Sequence, residues 1–424
     1  MLSTKKPIPK LGKPLTGFES LAPEILLLIL QDLPDLVSLD SVLRASPSSF
    51  RLFDSYGTEI MDTVISSREI HGHIRAMIRV TALIRTSKLP MDNLADFQEK
   101  TTISAMQERV RSLKTNVSPL RLEPNTSPPI LRGILASNRH LTQLSLKLLK
   151  IYLRRFRAAK PRQLATSVSV DFKNLDELLE VPEDLWEEYP VKNPGSPNWA
   201  EEQRAIRAFW RIQVFHDMKK AAVKGRLPGW SELDIRTLKK MTLSSFYGAS
   251  HAVQAVTPMD ESTPHPEYHE LTSVAVYLRE NYGLYDLTHI TKLSCFTPPY
   301  PPIEVNREWS NESYGCSQFE PWRKGIGIVS IQSTESCHFY LFMFLQSFKK
   351  RVPFEQFGRL GFAFWGYRRM CGYGLSPPVF RYSADGACTA KWCSMLDKEV
   401  LSNGEESFEN IIGGYPSQVS RTRP

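Results

Sequence analysis

Six apolar residues in succession, Ile25-Leu26-Leu27-Leu28-Ile29-Leu30, lie between Pro23 and Pro34. No other stretch constrains the fold of this chain as tightly. Pro23 suits a first helical turn, because the N–H it lacks is unpaired there in any case. Glu24 places a negative charge at the positive end of the helix dipole. Ile25, Leu26, Ile29, Leu30 and Leu33 fall on one face of a 3.6-residue period and are expected to point inward. Pro34 closes the segment, since the residue before a proline is driven out of the helical region.

Leu27 and Leu28 are surplus to that face. A helix that is apolar most of the way round is either deeply buried or shared with a partner. A module of about fifty residues has little interior to offer, and each Leu or Ile is worth about 1.5–3 kcal/mol on full burial. Another surface is therefore expected to cover them, supplied by the rest of this chain or by a separate protein.

Two more short helical segments follow, giving three within residues 18–66. Leu21-Ala22-Pro23-Glu24-Ile25, Ile29-Leu30, Leu33, Leu36 and Leu39 resemble the F-box, a three-helix adaptor motif. The continuation Leu43-Arg44-Ala45-Ser46-Pro47-Ser48-Ser49-Phe50 is similar to the variant found in filamentous-fungal F-box proteins. Ala22 stands where that family usually has proline, and Phe50 near where many members carry tryptophan. Both keep the apolar character. The resemblance implies that the motif docks on the small adaptor subunit of an SCF-type cullin–RING ubiquitin ligase. It places Leu21, Pro23, Glu24, Ile25, Leu27, Leu28, Ile29, Leu30, Leu33, Leu36 and Leu39 at or behind that contact. Glu201-Glu202-Gln203-Arg204-Ala205-Ile206-Arg207-Ala208-Phe209-Trp210-Arg211 and Gly361-Phe362-Ala363-Phe364-Trp365 also resemble helices of the C-terminal region in those proteins.

The chain of 424 residues suffices for one large domain or two to three ordinary ones. With 42% apolar and 23% charged residues it has the composition of a globular protein. The fold expected is mainly α: the F-box-like module, then an irregular helical domain with long Pro-rich loops. Residues 1–17 read as a flexible basic leader, 67–402 as a helical substrate-binding region with a subdomain break near 187–198, and 403–424 as a loosely ordered tail. Helices are expected over 69–86, over 92–114 with Asp92 as cap, over 128–160 as one broken or two consecutive helices, and over 176–186. Asn198 is expected to cap a helix over 198–224 whose apolar face holds Ile206, Phe209, Trp210, Val214, Phe215 and Met218. Further helices are expected over 335–350 and 353–370, with loops over 257–269 and 293–320. The longest apolar run, residues 339–345, is far short of the roughly twenty needed to span a bilayer. With no signal-peptide pattern, the expected location is cytoplasm and/or nucleus.

Candidate chemistry is sparse. The sequence holds no GxxxxGK[ST], GxGxxG, GxSxG or HExxH pattern. His265 and His269 have the i, i+4 spacing of a zinc pair, but Pro264 and Pro266 oppose a regular helix there. The six cysteines all fall in the last third with no CxxC pair and read as reduced thiols. Pro298-Pro299-Tyr300-Pro301-Pro302 reads as a rigid loop, with a polyproline ligand as the alternative. Lys147, Lys150, Arg154, Arg155 and Arg157, interleaved with Tyr152 and Phe156, form a candidate acidic-partner patch. A solvated helix face and a nucleic-acid surface are its other readings.

No cofactor, metal or enzymatic activity is expected, and no leucine-rich or Trp-Asp repeat is present. The resemblance implies a non-catalytic adaptor that binds the ligase's adaptor subunit, and through it cullin, by the F-box, and a protein substrate by the C-terminal region. A helical interaction scaffold outside a ligase, or a nucleic-acid-binding protein using 147–162, are the alternatives.

Overall fold

The computed structural model describes residues 17–67, 69–101, 121–165, 180–191, 195–248, 266–283, 354–366, 369–370, 373–375 and 386–396. Residues 1–16 of the basic leader, residues 102–114 of the helix expected over 92–114, the Pro-rich stretch 293–320, the helix expected over 335–350 and the tail 403–424 lie outside them. Among the described residues 69% are helical, against one two-stranded sheet, so the chain is mainly α as expected. Two compact units are present: residues 1–70 with 121–139, and 71–120 with 140–424.

The first unit opens with a 3-10 turn, Gly17–Ser20, followed by α1 (Pro23–Gln31), α2 (Leu36–Ala45) and α3 (Pro47–Ile65). Asp32 ends α1, its N–H bonding to the Leu28 carbonyl. Asp35 caps α2 by accepting from the Ser38 N–H at 2.7 Å. Ser46 caps α3 by accepting from the Ser49 N–H at 3.1 Å, with Pro47 in the first turn. Both α1 and α2 pack on α3. Leu26, Leu30, Leu36, Leu39, Leu43, Phe53, Ile60 and Met61 are buried. α3 leaves helical geometry at Tyr56 (φ −120°, ψ 17°). At the next residue, Gly57, a Cβ would lie 2.9 Å from Leu131 Cδ1, so a larger residue there would make the Leu131 side chain shift.

α4 (Gly72–Thr86) and α5 (Leu94–Thr101) follow, and Leu131 belongs to the long helix after them, α6 (Pro128–Ala158). The first part of α6 belongs to the N-terminal unit, so the 18–66 segment does not pack alone. Arg132 pairs with Asp54, and Arg139 with Asp40 at 3.2 Å. One unbroken helix stands where one broken or two consecutive helices were expected, because Pro128 and Pro129 occupy its first turn, where proline breaks nothing. The cap of α5 is Asn93, accepting from the Asp96 N–H at 2.8 Å, one residue after the expected Asp92.

The second unit is built around α7 (Trp199–Val223), against which α4, α8 (Glu232–Lys240), α9 (Leu243–Gly248) and α10 (Pro266–Tyr282) pack. Asn198 and Glu201 close a full capping box, at 3.0 and 2.9 Å. All six residues of the expected apolar face are buried, and so are charged residues on the other sides. Four of them, Glu201, Arg204, Arg207 and Asp217, bond to other elements. Glu201, fully buried, accepts from Arg369 at 2.7 and 2.8 Å and from the Gly366 N–H at 2.9 Å. Arg204 donates to the Phe364 carbonyl at 2.8 Å. Arg207 pairs with Glu270, and Asp217 with Arg85 at 2.9 Å. Burial works against the Asp217 charge, but hydrogen bonding from His216 and the Arg85 guanidinium outweigh it and hold the carboxyl below its usual range.

Three expectations are corrected. Over 180–188 the helix expected for 176–186 is absent: the chain makes a 3-10 turn, Glu183–Leu185, then β2 (Trp186–Glu188), antiparallel to β1 (Arg162–Leu164). Pro182 precedes the turn, and Arg162 holds the strand pair by its bond to Glu183 at 2.6 Å and its place over the Trp186 ring. The helix expected over 353–370 stops as α11 (Phe354–Gly358). Gly361 then takes φ +86°, and the Trp365 ring lies so close that a Cβ would meet it at 2.5 Å. The last described helix is α12 (Gly386–Cys393). The loop expected over 257–269 gives way to α10 from Pro266.

Replacing Asn198 by Ala should cost about 1 kcal/mol in urea unfolding, the usual worth of a cap. Glu201→Ala should cost about 3–5 kcal/mol, because it also strands the Arg369 charge in the interior. The Asp217 carboxyl is lowered, so its contribution is complete at neutral pH and is lost as pH falls below about 4, through the lowered value. Asp217→Asn should therefore flatten the acid side of the stability profile.

Candidate functional site

The apolar run on α1 divides cleanly. Leu26 and Leu30, one turn apart, are buried, as are Leu36 and Leu39 of α2. Leu27, Ile29 and Leu33 are half-buried, and Pro23 and Glu24 exposed. Ile25 is 46% and Leu28 61% exposed. These two stand three residues apart and so are neighbours on one helix surface. Ile25 was expected inward with Leu26; the structure turns the helix so that Ile25 joins Leu28 outside.

Leu21 (37%) and Phe18 (39%) extend the exposed apolar residues toward the N-terminus. Their backbone is fixed: the Leu21 N–H bonds to the Phe18 carbonyl, and Glu19 accepts from the Ser48 N–H at 3.1 Å at the start of α3. Hydrogen bonds from Ser46 and Ser48 hold the Glu19 carboxyl below its usual range. On α3, Phe50 and Tyr56 are also exposed, with the Arg132 guanidinium 4.8 Å from the Phe50 ring centre. What such a surface can do is bury itself against another apolar surface, at about 1.5–3 kcal/mol for each large side chain fully covered.

The basic set lies on the later part of α6, in the second unit. Lys150, Arg154 and Arg157 are exposed, and Lys147 and Arg155 half-buried. Arg155 pairs with Glu280 at 2.8 Å. Tyr152 and Phe156, interleaved with the cations in sequence, are fully buried; Tyr152 donates to the Ser273 carbonyl at 2.6 Å and stacks on Phe364, and Phe156 packs on Tyr373.

Of the zinc-like histidine pair, His265 lies outside the described residues. His269 is buried with its ring 4.0 Å from that of Phe354. Among the described residues no group of three or more His, Cys, Asp and Glu is disposed to hold a metal. Cys393 is buried, which pushes its thiol up to about 12. Among the described residues no helix is long and apolar enough to cross a membrane. Sequence reasoning missed the buried pairs of α7. The Asn198–Glu201 capping spacing was a visible signal for one end, but nothing in the sequence announced Arg369 as its partner.

No protein-family model matches this chain, no curated protein matches it, and no solved structure matches it.

The division of α1 is testable by unfolding. Leu30→Ala should cost about 2–5 kcal/mol, as for other buried leucines. Leu28→Ala should stay within about 0.5 kcal/mol of the parent, as for a surface change.

Proposed function

We propose that this chain is the substrate-recruiting adaptor of an SCF-type cullin–RING ubiquitin ligase, working in the cytoplasm and/or nucleus. The observation that carries the reading is the exposure of Ile25 and Leu28, with Leu21 and Phe18, in front of the buried Leu26 and Leu30. Of these, Leu21, Ile25 and Leu30 are among the residues through which the chain resembles the F-box. In this reading the exposed row seats the ligase's adaptor subunit, while Leu30, Leu36 and Leu39 stiffen the contact from behind. The C-terminal region holds a protein substrate, and ubiquitin transfer happens on other subunits by proximity. The chain itself does no bond chemistry. The nucleic-acid reading is less favoured, because Tyr152 and Phe156 are turned inward, away from any base.

The test is affinity capture of the ligase adaptor subunit by the full chain. Ile25→Asp/Leu28→Asp should abolish capture while leaving the far-ultraviolet helix signal and unfolding midpoint unchanged. Leu233→Asp, at a site 69% exposed on α8, should leave capture intact. Capture retained by the α1 double variant would reject the reading.

A further inference from the structure

From Pro124 to Val170 the chain has no Asp or Glu, and nine Lys or Arg. Six of these cations fall into two groups, four paired and two not. Arg132, Arg139, Arg155 and Arg162 each meet a carboxylate supplied from elsewhere in the chain, on Asp54, Asp40, Glu280 and Glu183. Lys150 and Arg154, exposed on α6, make no hydrogen bond or ion pair among the described residues. Arg157, also exposed, continues their line. The spacing i, i+4, i+7 puts the three on one side of the helix.

The dipole of α6 favours cations only within its last turn, so it accounts for Arg157 but not for Lys150, two turns from the end. Nor does packing account for the stripe, since the side of the helix that packs is the one bearing Leu148, Leu149, Tyr152 and Phe156. The seven steps from Lys150 to Arg157 rise about 10 Å along the helix axis. In an extended peptide, side chains on one edge recur about every 6.6 Å. Two or three carboxylates at alternate positions therefore span the stripe. A nucleic acid fits less well: single strands gain affinity by stacking bases on exposed aromatic rings, and both rings here are buried.

We propose that the outward stripe Lys150–Arg154–Arg157 docks an extended acidic polypeptide segment of a partner protein. Binding stands on this surface alone; only the further statement that the partner is a ligase substrate rests on the function proposed above.

The probe is a fluorescein-labelled dodecapeptide of Glu-Gly repeats, titrated with the full chain and followed by anisotropy, beside a Gln-Gly peptide and a single-stranded DNA 12-mer. The Glu-Gly peptide should bind with an affinity that falls as salt rises, and the Gln-Gly peptide should not bind. Lys150→Glu/Arg154→Glu should weaken Glu-Gly binding at least tenfold. Lys239→Glu/Lys240→Glu on α8, with the same change in net charge, should weaken it less than twofold. Equal loss in both double variants would mean net charge alone, and would overturn the proposal. So would equal affinity for the Gln-Gly peptide, or DNA bound more tightly than the Glu-Gly peptide. Lys150→Gln/Arg154→Gln repeats the test should the charge reversal disturb folding. Ile25→Asp/Leu28→Asp should leave peptide binding intact, so failure here and failure of adaptor capture are told apart.

Discussion

The second unit depends on keeping a helix buried on every side while that helix carries charge. α7 solves this by pairing. Glu201 sits at its start with no exposure, and Arg369 reaches it with two charge-assisted bonds while the Gly366 N–H supplies a third. A buried carboxylate without those donors would be severely destabilising. The same residue closes the capping box, so one side chain ends the helix and anchors the segment around Gly366. Farther along, Arg204 takes the Phe364 carbonyl, Arg207 takes Glu270 of α10, and Asp217 takes Arg85 of α4. Each pair ties α7 to a different neighbour. Apolar contact alone would hold these elements together, but it would fix their register less strictly, because charge pairs have one geometry and greasy contacts have many.

The first unit shows the opposite logic. Its interior is mostly apolar, its buried Asp40 is paired with Arg139, and its surplus leucine and isoleucine face outward. Asp35 and Ser46 fix the ends of α2 and α3, and Glu19 fastens the leading turn to the start of α3. The exposed row from Phe18 to Leu28 is thereby carried on a backbone with little freedom, which lowers the ordering cost of any partner that covers it.

Much of this was legible because it is written in local chemistry. Pro23, Pro34 and Asn198 mark helix ends through sterics and capping that need no tertiary context. The failures have equally plain causes. Six successive apolar residues satisfy every helical phase, so which of them face inward was decided by α3, and Ile25 went out. The stretch 176–186 looked helical by composition, but its end, from Trp186, pairs with a strand at Arg162–Leu164. The aromatic run after Phe354 looked like one helix. Gly361 reads as an ordinary helical interruption until the Trp365 ring is seen lying against it. The basic patch was found as a cluster, while its division into paired and outward cations depended on carboxylates as distant as Glu280.

The account stands on a partner burying the α1 row. Calorimetric titration of the purified SCF adaptor subunit into the full chain at several temperatures measures this directly. The account predicts binding with Kd of about 1 µM or tighter, and a heat of binding that becomes more exothermic with rising temperature, the mark of apolar burial. Absence of binding, or binding whose heat does not change with temperature, would contradict it.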